Sequence, residues 1–218
     1  MKTDPDLKRD VERELAWDIQ IDDTAIGVAA HHGVVTLSGT VSSWAAKHAI
    51  EEAAYRVDGV ISLANEINIK QSWDTEPTDA DVAEAVHNAL VWDHFVESDR
   101  VRATVSDHGS VTLMGTVQTL RERDEAERVV RGIEGVRYVT NEIVVDAPPV
   151  TPVHLRQTIE QALARRAART TSHVTVAVDG DTVTLEGEVA SWLERRAVLG
   201  AARGTRGVKH VEDHLVFA

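Results

Sequence analysis

Hydrophobic and polar positions recur in this chain with two different periods, three to four residues in some segments and two residues in others, and these segments alternate along the sequence. Apolar residues first recur every three or four positions, as at Leu7, Val11 and Leu15, which predicts an amphipathic helix. They then alternate with polar residues, as in the stretch 35–41, which predicts a strand with one buried face. The succession helix, strand, strand, helix, strand is predicted three times over.

The first helix of each succession carries equivalent apolar positions. Those of the second and third copies are Val82, Val86, Leu90, Leu155, Ile159 and Leu163. Proline follows an N-cap type of residue at Asp4 and again at Thr151, which predicts a helix start at both places. Thr78 or Asp79 is expected to cap the middle helix.

Three landmarks at fixed spacing define a repeat with periods of 76 and 72 residues. Each copy contains a Val-Thr-Leu-x-Gly motif, a Gly-Val pair 20 residues later, and an Asn or Asp six residues further on. The glycines of the first two landmarks are expected to serve backbone shape, the second set as C-caps of the second helix. They are Gly39, Gly59, Gly115, Gly135, Gly187 and Gly207. Proline-containing linkers separate the copies and predict modules at 1–73, 74–147 and 148–218.

The order of elements predicts an α+β fold of three tandem αββαβ modules. Gly and Asp in the turns at 31–33, 107–109 and 179–181 favour antiparallel hairpins, and the second copy carries one extra residue there. The helix that follows, at about 43–57 in the first copy, leads to a last strand predicted from Val60. A connection through a helix favours a parallel pairing. Each module is therefore expected to be a three-stranded mixed sheet packed by two helices.

Composition and charge narrow the class of protein. The chain has 218 residues, of which 43% are hydrophobic, 27% charged and 4% aromatic, so its cores must be largely aliphatic. No cysteine is present, which excludes disulfides and thiolate sites. The N-terminal residues lack the apolar core of a signal peptide, and no apolar run reaches the roughly 20 residues of a membrane span. A cytoplasmic protein without a transmembrane segment, peripheral to a membrane at most, is the expectation.

Net charge argues against nucleic acid as a partner, because the chain carries −13 and phosphate neutralisation needs clustered cations. The charge is uneven, however. Residues 1–73 hold 7 basic and 12 acidic side chains, residues 74–147 hold 7 and 16, and residues 148–218 hold 9 and 8. The third module therefore differs electrostatically from the other two.

The sequence contains no catalytic or metal-binding pattern that gives a candidate residue. No phosphate-binding glycine loop, nucleophile elbow or HExxH sequence occurs. The histidines at positions 31, 32 and 108 fall in predicted turns, where solvated side chains are the ordinary case. The expectation is a protein without catalytic residues, metal or cofactor.

The third module supplies candidate residues for an anionic surface or a protein partner. Basic residues at such a surface contribute about 1 kcal/mol each. The basic candidates of the third module are Arg165, Arg166, Arg169, Arg195, Arg196, Arg203, Arg206 and Lys209. Trp192 and its equivalent Trp44 are added because an indole suits an interface. Two alternatives stay open: the arginines pair with nearby acids on a solvated surface, and the tryptophans pack between modules.

This pattern of helix, V-x-L-x-G-x-V, Ala-rich helix, Gly-Val and Asn-x-Ile resembles the BON domain, named after bacterial osmotic-inducible and nodulation proteins. The resemblance covers almost the whole chain in three copies and implies a role in stress response or transport, with attachment to phospholipid. It implies no catalytic residues. The leading hypothesis is a non-catalytic stress-associated binding protein. A self-associating, chaperone-like scaffold and a sensor of small ligands or ions are the alternatives.

Overall fold

The structure is a computed structural model that describes residues 2–17, 26–70, 77–148, 150–167 and 174–217. The chain divides into two compact units. One takes in residues 1–74, 191–194 and 217, and the other takes in residues 75–190 and 195–216. Across the described residues the predicted succession helix, strand, strand, helix, strand occurs three times.

The first module begins with helix α1, Asp4–Trp17, which is followed by a hairpin of β1, Ile26–His31, and β2, Val34–Val41. Helix α2 spans Trp44–Tyr55, and strand β3 spans Ser62–Ile69. The last strand begins two residues after the predicted start, because the turn described below ends at Val60.

The second and third modules repeat this order. The second contains α3 (Asp79–Trp92), a short 3-10 helix (Ser98–Arg100), β4 (Val101–Ser106), β5 (Ser110–Val117), α4 (Leu120–Arg131) and β6 (Tyr138–Val145). The third contains α5 (Pro152–Ala167), β7 (Val174–Asp179), β8 (Thr182–Val189), α6 (Trp192–Arg203) and β9 (His210–Phe217).

The sheets have the predicted mixed topology, and the α+β class is confirmed. In the first sheet the order is β1-β2-β3, with β1 antiparallel and β3 parallel to β2. The second sheet repeats this pattern, and in the third β8 lies between β7 and β9. The motif glycine Gly39 pairs with Ile26 on one side and Ile67 on the other. The repeat in sequence is thus a repeat in strand register.

The hairpin turns differ in length as predicted. Two residues join β1 to β2 and β7 to β8, whereas three, at 107–109, join β4 to β5. His32 and Gly33 both have positive φ, as a type I′ turn requires, and Gly180 has positive φ at the first turn position, as a type II′ turn requires. Both turn types match the right-handed twist of the strands that they join.

Threonine occupies the N-cap position of each first helix, which corrects one prediction. The Thr3 hydroxyl accepts a backbone hydrogen bond in the first turn of α1, whereas the sequence pattern placed this cap at Asp4. Thr78 caps α3 and forms a capping box with Asp81. The first helical hydrogen bond of α5 goes to the carbonyl of Thr151, as expected for proline at the next position.

Asp4 does not cap its own helix because its carboxylate is engaged by the hairpin turn. Its Oδ1 accepts a hydrogen bond from the backbone N–H of His32 at 2.8 Å. In the second module Asp79 accepts one from the N–H of Gly109 at 2.9 Å. The third module has Pro152 at this position, which offers no side-chain acceptor. The first helix is therefore tied to the hairpin through a carboxylate in two modules of three.

The glycines of the Gly-Val pairs have left-handed backbone conformations. The prediction that they cap the second helix directly is wrong. Helix α2 ends at Tyr55, and the N–H of Val60 then donates to the carbonyl of Val57 at 3.3 Å. Gly59, with φ +98°, is the third residue of that separate turn. The turn reverses the chain toward β3, so the left-handed residue is required a full turn beyond the helix.

Each core lies between the helices and one face of the sheet. Leu15, Val35, Leu37 and Ile50 are at most 1% exposed in the first module. Residues that alternate with Val35 and Leu37 along β2 are only partly buried or exposed, so the other face of the sheet is turned to solvent. Aliphatic side chains dominate the buried set, as the low aromatic content predicts.

Candidate binding surface

The motif glycines occupy positions that exclude a side chain. Gly39, Gly115 and Gly187 have φ of 140°, 140° and 139°. A Cβ on Gly115 would lie 2.0 Å from the carbonyl oxygen of Arg100, on the chain entering β4. Backbone atoms cannot move aside as a flexible side chain can, so glycine allows the two strands to approach here.

The glycines of the Gly-Val pairs lie against the first helix and its linker. A Cβ on Gly135 would lie 2.6 Å from a methyl carbon of Val82, and one on Gly207 would lie 3.0 Å from Val150. At Gly59 the nearest atom is a methyl carbon of Leu7, at 3.6 Å. These glycines keep the turn after the second helix close to the first.

Arg195, one of the predicted cations, lies between the layers of its own module. Its Nε and Nη2 are each 2.9 Å from Oδ2 of Asp213 on β9. Oδ1 of Asp213 accepts a hydrogen bond from the N–H of Leu215 at 3.1 Å. The two side chains are only 22% and 24% exposed. Lys47, the equivalent residue of α2, donates to a β3 carbonyl, so aligning the repeats would have revealed this inward position.

Two more of the predicted cations face carboxylates. Arg203, at the end of α6, pairs with Asp124 of α4, and both residues belong to the same compact unit. Lys209 lies 3.4 Å from Asp181 in the hairpin turn of the third module. Because their charges are compensated locally, these residues add less to an anion-attracting surface than their sequence positions imply.

Like Arg203 and Lys209, three further predicted cations have exposed side chains. They are Arg165 on α5, Arg196 on α6 and Arg206 in the turn after α6. Arg169 lies outside the described residues, and so does the side chain of Arg166. The described part of the predicted patch is therefore narrower than the sequence indicated, and it is carried by the helices.

Trp192 and Trp44 are both half-buried. Trp192 stacks on Tyr55 with ring centroids 4.4 Å apart and an interplanar angle of 17°, and its centroid is 6.3 Å from that of Phe217. All three rings belong to the same compact unit. Burial, and then Glu51 and Glu52, raise the pKa of the Tyr55 hydroxyl. The geometry around Trp192 is that of an aromatic packing contact.

Trp17 and Trp92 are the most exposed large apolar side chains among the described residues, at 80% and 82%. Both lie two residues after the last leucine of a first helix, and Arg165 occupies this position in the third module. Val91 and Phe95, each 50% exposed, adjoin Trp92 in sequence. The shared register is visible in the sequence, whereas the exposure of these two side chains depends on packing.

In the described part of the chain, no three His, Asp or Glu side chains are grouped so as to hold a metal ion. No described helix has both the length and the apolar character needed to span a bilayer.

The fold defines a class of repeat protein: three small α+β modules in one chain, each with two helices on one face of a mixed sheet. The BON domain pattern matches residues 3–71, 78–147 and 153–218. The chain therefore belongs to the BON domain family, in three tandem copies.

A relative in sequence is the osmotically-inducible protein Y of Escherichia coli strain K12, which is 30% identical over 127 residues. The match covers 56% of this chain and 63% of the relative, so the chain spans less than two thirds of that protein. Among solved structures, CdsD, a structural protein of the type III secretion system of Chlamydia trachomatis, has 13% identity and a TM-score of 0.28 over 98% of this chain and 92% of its own. The PrgH periplasmic domain has 10% identity and a TM-score of 0.23 over 88% and 95%.

Proposed function

We propose that this chain is a non-catalytic binding protein of the osmotic stress response that attaches to anionic phospholipid surfaces through its third module. The observation that carries the proposal is the set of exposed arginines on α5, on α6 and in the turn after α6, which are Arg165, Arg196 and Arg206. Family membership and the osmotically inducible relative support the stress context.

Electrostatics supports a weak attachment. Each basic side chain near an anionic leaflet contributes about 1 kcal/mol, and the effect fades within a Debye length. Residues 1–73 and 74–147 have an excess of acidic side chains and oppose attachment. The balance favours reversible binding that weakens as salt rises.

Flotation of the intact chain with vesicles of equal parts phosphatidylcholine and phosphatidylserine tests the proposal. The wild type is expected to float at 20 mM salt and not at 500 mM, and the triple variant Arg165→Glu, Arg196→Glu, Arg206→Glu is expected not to float at either. The matched control reverses three exposed cations of α1, Lys8, Arg9 and Arg13, with the same change in net charge. If the two triple variants lose binding equally, the third module does not carry the attachment.

A protein partner is the second candidate, and the exposed cluster Val91, Trp92 and Phe95 favours it. Three large apolar side chains exposed within five residues are more than scattered surface hydrophobics require. If a second copy of the chain covers this cluster, light scattering will report a mass that rises with concentration. Trp92→Ser should abolish that rise, whereas Val153→Ser, a change at another exposed apolar residue, should leave it intact.

A further inference from the structure

We propose that the third module attaches to an anionic phospholipid bilayer with its helix layer toward the lipid and its sheet turned away. This inference rests on the proposed function and specifies the orientation of the attached module. Its basis is a separation of charge between the two layers of the module.

The helix layer of the third module is basic. Helices α5 and α6 carry six arginines and two glutamates; without Arg195, which is turned inward to Asp213, the balance is five arginines to two glutamates. One of these arginines, Arg156, lies 3.7 Å from Glu160 on α5, and both side chains are 54% exposed. Arg196 on α6 is exposed as well. An anionic surface that approaches from this side meets cations first.

The sheet layer of the same module is acidic. Strands β7, β8 and β9 carry five acidic residues and no lysine or arginine. Asp213 is turned inward, where it pairs with Arg195. The others lie on the outer face: Asp179, Glu186, Glu188 and Glu212.

Contacts on the outer face confirm that its side chains share one surface. Thr184 donates a hydrogen bond to Glu212 at 3.1 Å across the strands β8 and β9. His214 lies 3.7 Å from Glu186, whose side chain is 63% exposed. Val183 and Leu185, which alternate with these residues on β8, are fully buried under the helices. The acidic face is thus opposite the helix layer.

This polarity belongs to the third module alone. The helices α1 and α2 together carry four basic and seven acidic residues, and so do α3 and α4. Since the three modules share the same order of helices and strands, the charge separation is a property of the surface residues. It provides an orienting force that neither of the other modules has.

Distance makes the two faces electrostatically separate. Packed layers of secondary structure lie about 10 Å apart, and the Debye length is about 8 Å at physiological salt. A charge on the far face of the sheet therefore interacts weakly with a membrane that contacts the helices. A charge on the helix layer interacts strongly.

Two variants with the same change in net charge test the orientation. Glu160→Arg adds two positive charges to the helix layer, and Glu186→Arg adds two to the outer sheet face. In the intact chain, Glu160→Arg should increase partitioning onto vesicles of equal parts phosphatidylcholine and phosphatidylserine about thirtyfold at 0.1 M salt. Glu186→Arg should change it by less than about twofold. Far-UV circular dichroism verifies that both variants keep the fold.

The outcomes separate the orientation from the attachment itself. Equal gains from the two variants, or a larger gain from Glu186→Arg, would overturn the orientation while leaving lipid attachment in place. A wild-type chain that fails to bind these vesicles even at 20 mM salt would overturn the attachment, and the orientation with it.

Discussion

Replacing Gly115 by alanine tests the physical reason for the motif glycine. The residue has φ +140°, and a Cβ would lie 2.0 Å from the carbonyl oxygen and 3.0 Å from the carbonyl carbon of Arg100. It would also lie 3.1 Å from Cα of Val101. All three neighbours are backbone atoms, so relief requires β4 to move away from β5.

The expected loss of stability combines two contributions. A residue with a Cβ in this region of φ is strained by about 1–3 kcal/mol. Forcing a well-packed backbone apart costs about 1–3 kcal/mol more. The sum, about 2–6 kcal/mol, is comparable to the whole stability of a module of this size, since proteins hold about 0.05–0.15 kcal/mol per residue.

Hydrogen exchange with mass spectrometry across a urea series is the appropriate assay, because three modules need not unfold in one step. Gly115→Ala should lower the unfolding midpoint of peptides from the second module. Gly132→Ala, at φ −76° in the same module, should leave it unchanged or raise it slightly. Gly180 has positive φ but open space around it. Gly180→Ala should therefore lower the free energy of unfolding of the third module by only about 1–2 kcal/mol. A Gly115→Ala chain as stable as Gly132→Ala would refute the clash.

Two further predictions concern caps and side-chain pairs. Thr78→Ala should destabilise the second module by about 1 kcal/mol in urea unfolding, because it removes an N-cap. The Thr78 hydroxyl holds the pKa of Asp81 below its usual range. This carboxylate therefore stabilises the fold above the ordinary aspartate pKa and ceases to do so as pH falls through its lowered value. The variant should lose less stability than the wild type as pH falls below the ordinary aspartate pKa. Asp213→Asn should lower the free energy of unfolding of the third module by about 1 kcal/mol, because the amide keeps the hydrogen bond to the Leu215 N–H and loses only the pair with Arg195. Asp213→Ala loses both contacts and should lower it by about 2–3 kcal/mol in the same assay.

The fold was predictable because its signals are local. Hydrophobic periods of two and 3.6 residues gave the elements, and the spacing of three landmarks gave the repeat. The cap of α1 was misplaced because Asp4 and Thr3 are both good caps, and only a contact to the hairpin turn, 28 residues away, decides between them. Local sequence does not contain that contact.

The candidate site was predictable only in part, because exposure and pairing depend on residues distant in sequence. Arg203 pairs with an aspartate 79 residues earlier, a partner that the sequence around Arg203 does not reveal. Trp192 and Trp92 are the same type of residue, yet one stacks on Tyr55 and the other is 82% exposed. Sequence selects residue types suited to a surface, and packing selects which of them reach it.

The charge on this chain is better understood by layer than by total. A net charge of −13 describes a molecule that an anionic bilayer repels at long range. At contact, however, only charges within about a Debye length of the surface matter, and the helix layer of the third module places its arginines there. Added salt weakens both the long-range repulsion and the short-range attraction. Attachment of this chain should therefore be weaker at 20 mM salt than that of a uniformly basic module, and it should weaken further as salt rises.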